Sequence, residues 1–554
     1  MRGVFSTCGA IACTWFCLSA CDAPAAAAPS SAAAVQQTYS NYLPPLESIA
    51  LPGEQPILDT FVAQTPRGTT PAAVLAAADE ALAKLGSPTK LRGLVQFARA
   101  RALAALNRDL DAVEAAEESA RLLPGYSAPL IVGFTANAYL NRTGQATEYL
   151  MRAIDTDPTT ARTIDDYESD NLMRRLDGFD DRAREEAISD RLLGIGWIGD
   201  HLDSRSNLAV RAIRRRLDNG DIGGAKALVP KLLDPGDSRA LLIVNAYAPI
   251  WPDIEAWGGA KLERQWPIYL QDAESRWKAG RTSIAARDYL SALDSAGRYD
   301  AAVRSLLPLL DNPRPDDVEL IFMVAPLANA LAKLGRWRDA EALFEHAQQV
   351  WPLGSQANAL NISANYSVLL LREGRPGDGL ARIDASLEDA RKWGPQVGAP
   401  ALAAMHHNRA CLLHELERDS EAALSTAQAL AVQHGSAAAM LHLCLGDAAA
   451  AKTALLDALE NDAIRDDVLR FVQPPDEDPY PSEYGRKQRA ASDALRSDPE
   501  LLRAVGIYGR VLPWPANQAA RADPPSTEVV QPQLRSAAPD RSSSSLTTRS
   551  MSPR

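Results

Sequence analysis

Between residues 335 and 352, in GRWRDAEALFEHAQQVWP, small and apolar side chains return at Ala340, Phe344 and Ala347, at steps of four and three. That spacing places all three on one face of an α-helix. Gly335 stops whatever precedes the helix and Pro352 ends it. A narrow face of two alanines and one ring cannot bury itself alone, so the helix must lie closely against neighbours. The pattern recurs. A Gly-Arg turn followed five residues later by a small residue starts at Gly297 (GRYDAA), Gly335 (GRWRDA) and Gly374 (GRPGDG), with weaker copies at Asn107, Gly144, Gly220, Glu417 and Gly446. The intervals 107–144, 297–335 and 335–374 are 37, 38 and 39 residues, while 144–220 and 220–297 are 76 and 77. A hidden unit is therefore expected in each long gap. Periods of this size mark stacked helix pairs, each too small to be stable by itself. No convincing strand run interrupts them, so the expected fold class is all-α.

The best unit, Leu320 to Pro352, resembles a tetratricopeptide repeat. Its first helix carries Leu327, Ala328 and Leu331, and its second carries Ala340, Phe344, Ala347 and Pro352 at that family's spacing. The copy from Asn107 keeps Ala112 and Pro124 but has Ala116 in place of the phenylalanine, and the copy from Gly374 has Gly379 where Ala340 stands. The period exceeds the family's usual value of about 34. The resemblance is closest over 283–460 and looser over 70–240. It implies an α-solenoid of tetratricopeptide-like helix pairs, spanning 46–510, whose first helices form a concave wall that binds a protein or peptide partner.

Composition agrees with close-packed helices. Of 554 residues 46% are apolar but only 6% aromatic, and small side chains let helix axes approach. A formal charge of −12, with no strongly basic domain, argues against nucleic acid as a partner. Arg214, Arg215 and Arg216 form the only compact basic run and read as a solvated helix face. The polar, serine- and proline-rich residues 511–554 cannot bury enough to order themselves and are expected to be a disordered tail. Just before them, ELLRAVGIYGRVLPWP reads as a last amphipathic helix capping the array, and residues 474–484, PPDEDPYPSEY, read as a surface loop.

The N-terminus is different in kind. Arg2 precedes a short apolar stretch that ends in Leu18-Ser19-Ala20-Cys21. This resembles the lipobox of bacterial lipoproteins. The resemblance implies a signal peptide over 1–20, a mature chain beginning at an acylated Cys21, and a location in the bacterial cell envelope facing the periplasm. Residues 21–45, rich in alanine, serine and proline, would be a flexible tether. No other segment has the apolar length of a membrane span, so attachment to a membrane would rest on lipid at Cys21.

Signals of chemistry are few. Ser87-Pro88-Thr89-Lys90 and Ser169-Asp170-Asn171 match two of the three motifs of penicillin-recognising serine enzymes, but no K-T-G follows and no strand is there to hold one. They read as coincidence, and no catalytic residue and no cofactor is assigned. Five of the seven histidines lie between 406 and 442, and His407, Cys411 and His414 share one helical face. Alignment with the helix before Gly335 places them at first-helix positions that line the groove in tetratricopeptide proteins. With Asn329 and Asn361 they make up the candidate partner-binding set. Cys444 falls on the next first helix. Two imidazoles and two thiolates suit zinc; in an oxidising compartment the two cysteines suit a disulfide; two unconnected thiols in a polar groove are the plainest case and the one preferred. Six aromatic residues between Tyr247 and Trp277 read as packing between helices of unequal length.

The expected function is a non-catalytic scaffold for protein–protein interaction, held at a membrane by lipid. The competing readings are a metal-binding protein or enzyme using the 406–444 cluster, and a soluble cytoplasmic regulator.

Overall fold

The computed structural model describes residues 49–521, except 67, 87, 163, 165–168, 170–171, 174, 177–181, 198 and 200. Cys21, the expected signal peptide and tether, Ser87, Asp170, Asn171 and the chain beyond 521 lie outside the described residues. Among the described residues the only β-type pairing is an isolated bridge between Val244 and Gly509.

The helices of the first part are α1 (Gln55–Gln64), α2 (Pro71–Lys84), α3 (Lys90–Ala105), α4 (Asp109–Leu122), α5 (Ala128–Tyr139) and α6 (Thr143–Thr156). Next come α7 (Arg182–Ile195), α8 (Ser204–Asp218), α9 (Ile222–Leu228), α10 (Pro235–Ile243), α11 (Trp251–Gly258) and α12 (Gln265–Gly280). The best-formed repeats are α13 (Ser283–Ser295) with α14 (Tyr299–Leu306), α15 (Val318–Lys333) with α16 (Trp337–Val350), and α17 (Ala359–Arg372) with α18 (Pro376–Trp393). Two more pairs follow, α19 (Ala399–Glu415) with α20 (Asp419–Leu430), and α21 (Gly435–Cys444) with α22 (Ala448–Leu459). The chain finishes with α23 (Arg465–Phe471), α24 (Glu483–Arg496), α25 (Pro499–Tyr508) and a helical turn at Gln518–Arg521.

One device makes the hairpins. At eight turns a single residue adopts positive φ: Asn107, Asn141, Gly220, Gly297, Gly335, Gly374, Glu417 and Gly446, all between 57° and 76°. The next residue then turns its N–H back to the carbonyl five positions earlier, as in Arg298 to Leu293, Arg336 to Leu331 and Arg375 to Leu370. This satisfies a carbonyl that the end of the first helix would leave open and sends the chain back antiparallel. Glycine adopts this conformation without a Cβ penalty, which is why the strongest copies read Gly-Arg. The second copy is corrected by the structure. Its turn residue is Asn141 and not Gly144, so the interval from Asn107 is 34 residues, the usual tetratricopeptide period. Asparagine enters the left-handed region more readily than most residues, and Gly144 instead sits within the first turn of α6.

Packing follows the sequence pattern. Ala340, Phe344 and Ala347 are buried in the same core as Leu327, Ala328 and Leu331 of α15. Phe344 also stacks on Tyr366 of the next unit, with centroids 5.1 Å apart. Gly379 is explained by proximity: a Cβ there would lie 2.7 Å from a Leu412 methyl and 2.9 Å from the Ser367 carbonyl oxygen. The described residues thus form an all-α solenoid of tetratricopeptide-like pairs. Of the two long gaps, the one between Gly220 and Gly297 holds α10, α11 and α12, three helices instead of one regular hairpin. The aromatic residues fill the space between them: Tyr247, Trp266, Tyr269 and Trp277 are buried, and the indoles of Trp251 and Trp257 donate to the Leu241 and Leu232 carbonyls. Arg215 and Arg216 are not simply solvated, since they pair with Glu185 and Asp190 of α7.

Beyond α22 the chain leaves the repeat pattern and returns to the middle of the molecule. Arg510 donates its backbone N–H to the Ile243 carbonyl (2.9 Å) and its guanidinium to the Leu242 carbonyl (2.7 Å). Arg298 donates to the Ala520 carbonyl at 2.8 Å. Glycine is needed at 509 because a Cβ would collide with the Ile243 carbonyl oxygen. Units from α8 to the C-terminal helices therefore close on themselves. The ordered chain also runs past the expected limit at 510: Leu512 and Trp514 are buried, and the Arg239 guanidinium lies 5.5 Å from the Trp514 ring.

Candidate functional site

The first helices α15, α17 and α19 carry every candidate groove residue, and α21 carries Cys444. Asn329 is buried on α15 and accepts a hydrogen bond from the Arg372 guanidinium at 3.4 Å. On α17, Asn361 accepts from the Asn365 amide at 2.6 Å and lines a shallow hollow with Phe322, Asn358, Gln396, Ala401 and Met405. His407 is fully enclosed, its Nδ1 2.9 Å from the Gln433 side-chain oxygen, and burial pushes the imidazole down to about 4. A ring with that value is neutral at pH 7, so Nδ1 carries the proton donated to Gln433. His414 is partly exposed and contacts Asp419 at 2.8 Å, just across the turn to α20. Asn329, Asn361, His407 and Cys411 lie inside the wall, and of the five only His414 reaches solvent.

Cys411 and Cys444 form a disulfide, with Cα atoms 5.6 Å apart, so the preferred expectation of two unconnected thiols is corrected. The physical reason is the stacking of successive first helices. It brings α19 and α21 close at this level, while helix periodicity alone fixed only the face. His407 adjoins the pair, its ring nitrogen within 4.8 Å of both sulfurs. The two sulfurs are bonded to each other, and His414, the fourth residue of the zinc alternative, contacts Asp419 instead.

A second feature was not foreseen at all. Residues 474–484, expected to be a free surface loop, lie across the C-terminal ends of the first helices. Asp478 approaches Arg372 at 3.7 Å, and Arg372 is held against the Trp337 ring 4.9 Å away. Tyr480 rests on the α15–α16 turn, where a Cβ on Gly335 would lie 3.3 Å from its ring. Asp476 accepts from the Asn517 backbone at 3.2 Å, and the carbonyl of Asp476 accepts from Arg489 at 2.9 Å. Close by, the buried Lys333 ammonium donates to the Tyr299 hydroxyl at 2.8 Å. Helix C-termini carry partial negative charge and repel carboxylates. Lys333 and Arg372, each at the last position of its helix, reverse that sign. The signal in the sequence was complementary charge, DED against widely separated cations, but nothing local says that they meet.

No protein-family model matches this chain, and no curated protein matches it. Among solved structures it is similar to yeast Tom70, at 15% identity over 82% of this chain and 99% of that one, with a TM-score of 0.30. It is also similar to the P58(IPK) TPR domain, at 14% identity, 74% and 100% coverage and a TM-score of 0.19. A third is the APC/C hetero-tetramer Cut9–Hcn1, at 12% identity, 80% and 99% coverage and a TM-score of 0.24. The tetratricopeptide-like character of the chain therefore rests on its own turns and interhelical packing.

Proposed function

We propose that this protein is a non-catalytic scaffold that holds a protein partner at a membrane of the bacterial cell envelope. The observation that carries this reading is the serial array itself. Helix hairpins repeated with one turn geometry present an extended wall, and walls of that kind recognise proteins and peptides along their length. His414, at the exposed end of α19, is the candidate groove residue best placed to meet a partner. The anchor is lipid on Cys21, read from the lipobox; no helix among the described residues is long and apolar enough to cross a membrane. The Cys411–Cys444 bond supports an oxidising compartment, since such bonds persist outside the reducing cytosol. Suitable roles include assembly of secretion, pilus or polysaccharide-export machinery.

Fractionation tests the anchor: wild type should sediment with membranes and Cys21→Ser should not, and membrane association unchanged by that substitution would refute it. Crosslinking in cells, followed by identification of captured proteins, tests the scaffold. A second reading is favoured by one observation, the proximity of His407 to both sulfurs. Stoichiometric zinc in the purified protein, lost on His407→Ala, would replace the scaffold reading with a metal-dependent one.

A further inference from the structure

The segment 474–484 is held in an unusual way. Residues 474–478 form no hydrogen-bonded regular structure, Tyr480 is 56% exposed, and Glu477 and Pro479 face solvent. Its apolar anchor is at the end, where Tyr484 packs on the core around Met405 and Leu412; between Asp476 and Tyr480 little apolar surface is buried, so the hydrophobic effect contributes little to holding that stretch. Charge and shape do the holding. Asp478 faces the Arg372 guanidinium at the end of α17, Asp476 accepts from the Asn517 backbone, and one aromatic ring lies on the glycine turn between α15 and α16. Asp476 is also close enough to Arg239, Asp294 and Tyr299 to alter their proton affinities. The cations come from helices nearly 40 residues apart in sequence, Lys333 on α15 and Arg372 on α17, so the edge exists only because the units stack.

We propose that this edge is a docking site for acidic, proline-containing peptides, and that residues 474–484 are its resident occupant, displaced when a partner bearing a similar segment binds. The proposal rests on the scaffold reading and adds the chemistry of the partner. The recognised features are two carboxylates two positions apart, the second of them for Arg372, followed two positions later by an aromatic ring for the Gly335 seat. Prolines keep such a segment extended and lower the cost of ordering it. An occupant tethered in the same chain competes at high local concentration, so the free site is seen only when the tethered segment is weakened.

The test uses the full chain and a fluorescein-labelled peptide of sequence PPDEDPYPSEY, followed by fluorescence polarisation. Wild type should bind it weakly. The double variant Asp476→Asn, Asp478→Asn should bind at least about ten-fold more tightly, because its own segment no longer competes. Adding Arg372→Gln to that variant should remove the gain, as should replacing the acids of the peptide by their amides. The tip variant Tyr480→Ala, whose side chain is largely exposed, guards against loss of folding in the double variant and should show a smaller gain. If the variants that retain wild-type circular dichroism bind no more tightly than wild type, the proposal is overturned. It is equally overturned if the gain survives Arg372→Gln. Protein partners crosslinked equally well by wild type and by both variants would leave the scaffold standing and remove this edge from it.

Discussion

Residues 49–156 and residues 204–521 are built from the same hairpin, yet they behave as different objects. In the first region small separate cores follow one another, one around Leu58, Phe61, Leu91 and Val95 and another around Phe97, Leu103, Ala116 and Val132. Each helix meets mainly its sequence neighbours, and apolar side chains such as Leu106, Leu110 and Tyr139 stand exposed. The large core that runs from Leu130 to Ala520 starts in α5 and α6 and takes in most of the second region, where a further core around Ile383, Met405 and Leu412 lies beside it; there the last helices fold back on α10, and the C-terminal segment covers helix ends. A single position shows the contrast. Ala116 stands in the first region where Phe344 stands in the second: the alanine shares a small core with Ala128, Val132 and Ala136 of α5, whereas the phenylalanine adds a stacked ring contact to the next unit. Open stacking is sustained by nearest neighbours, whereas closure adds contacts between residues more than 200 positions apart.

The largest expected effect comes from Phe344→Ala. It removes a fully buried ring and its partner stack, and should destabilise the closed region by about 3–5 kcal/mol. Urea unfolding followed by hydrogen exchange should show amides of 204–521 losing protection while those of 49–122, whose small cores are separate, keep theirs; equal loss in both would mean that they unfold as one unit. Next is the Cys411–Cys444 bond, which closes a loop of 33 residues in sequence and so contributes on the order of 3 kcal/mol. Cys444→Ser, or a reductant under denaturing conditions, should lower the unfolding midpoint of the closed region alone. Gly509→Ala should cost about 1–3 kcal/mol by forcing the strand off the Ile243 carbonyl. Its readout is faster proteolysis after residue 497, with the repeats themselves intact; unchanged proteolysis would mean that the closure is not held at this point.

The smallest effect per step is a dependence on pH. Asp237 on α10 is buried, one of its carboxylate oxygens has no hydrogen-bond partner, and burial pushes the group from 3.8 to about 7. The folded form therefore keeps a proton that the unfolded chain gives up near pH 4. Stability from this group is fully present below about pH 4 and is lost as pH rises through 7. The expected slope is on the order of 1 kcal/mol per pH unit at most, confined to the closed region. His407, pushed down to about 4, has the opposite sense: its contribution is present above about pH 6.5 and falls away toward pH 4. The quantity to follow is thus the difference between wild type and Asp237→Asn from pH 5 to pH 8, which should narrow as pH falls. A difference that does not change with pH would remove Asp237 from this role.

What could be read from the residues beforehand was local. Gly335, Ala340, Phe344 and Ala347 declare a turn and a packing face within a dozen residues, because helix periodicity and left-handed glycine are properties of short segments. The turn at Asn141 was set three residues late because Gly144 stands just beyond it and glycine is the stronger turn signal. The face shared by His407, Cys411 and His414 was legible, but the distance from Cys411 to Cys444 depends on how α19 and α21 stack. Least legible was the contact between Asp478 and Arg372, over a hundred positions apart and unmarked by any period. The candidate site was foreseen as an open groove because repeat logic ends where the chain stops repeating, and it is the non-repeating segment that covers it.

The bridge at Val244 and Gly509 bears on how such a gene could change. A tandem duplication of one hairpin before Lys90 would lengthen the open stack and disturb only its immediate neighbours. The same duplication between α13 and α22 would carry Gly509 away from its carbonyl partner by the rise and rotation of a whole unit. Copy number is thus free to drift at one end of this protein and locked at the other.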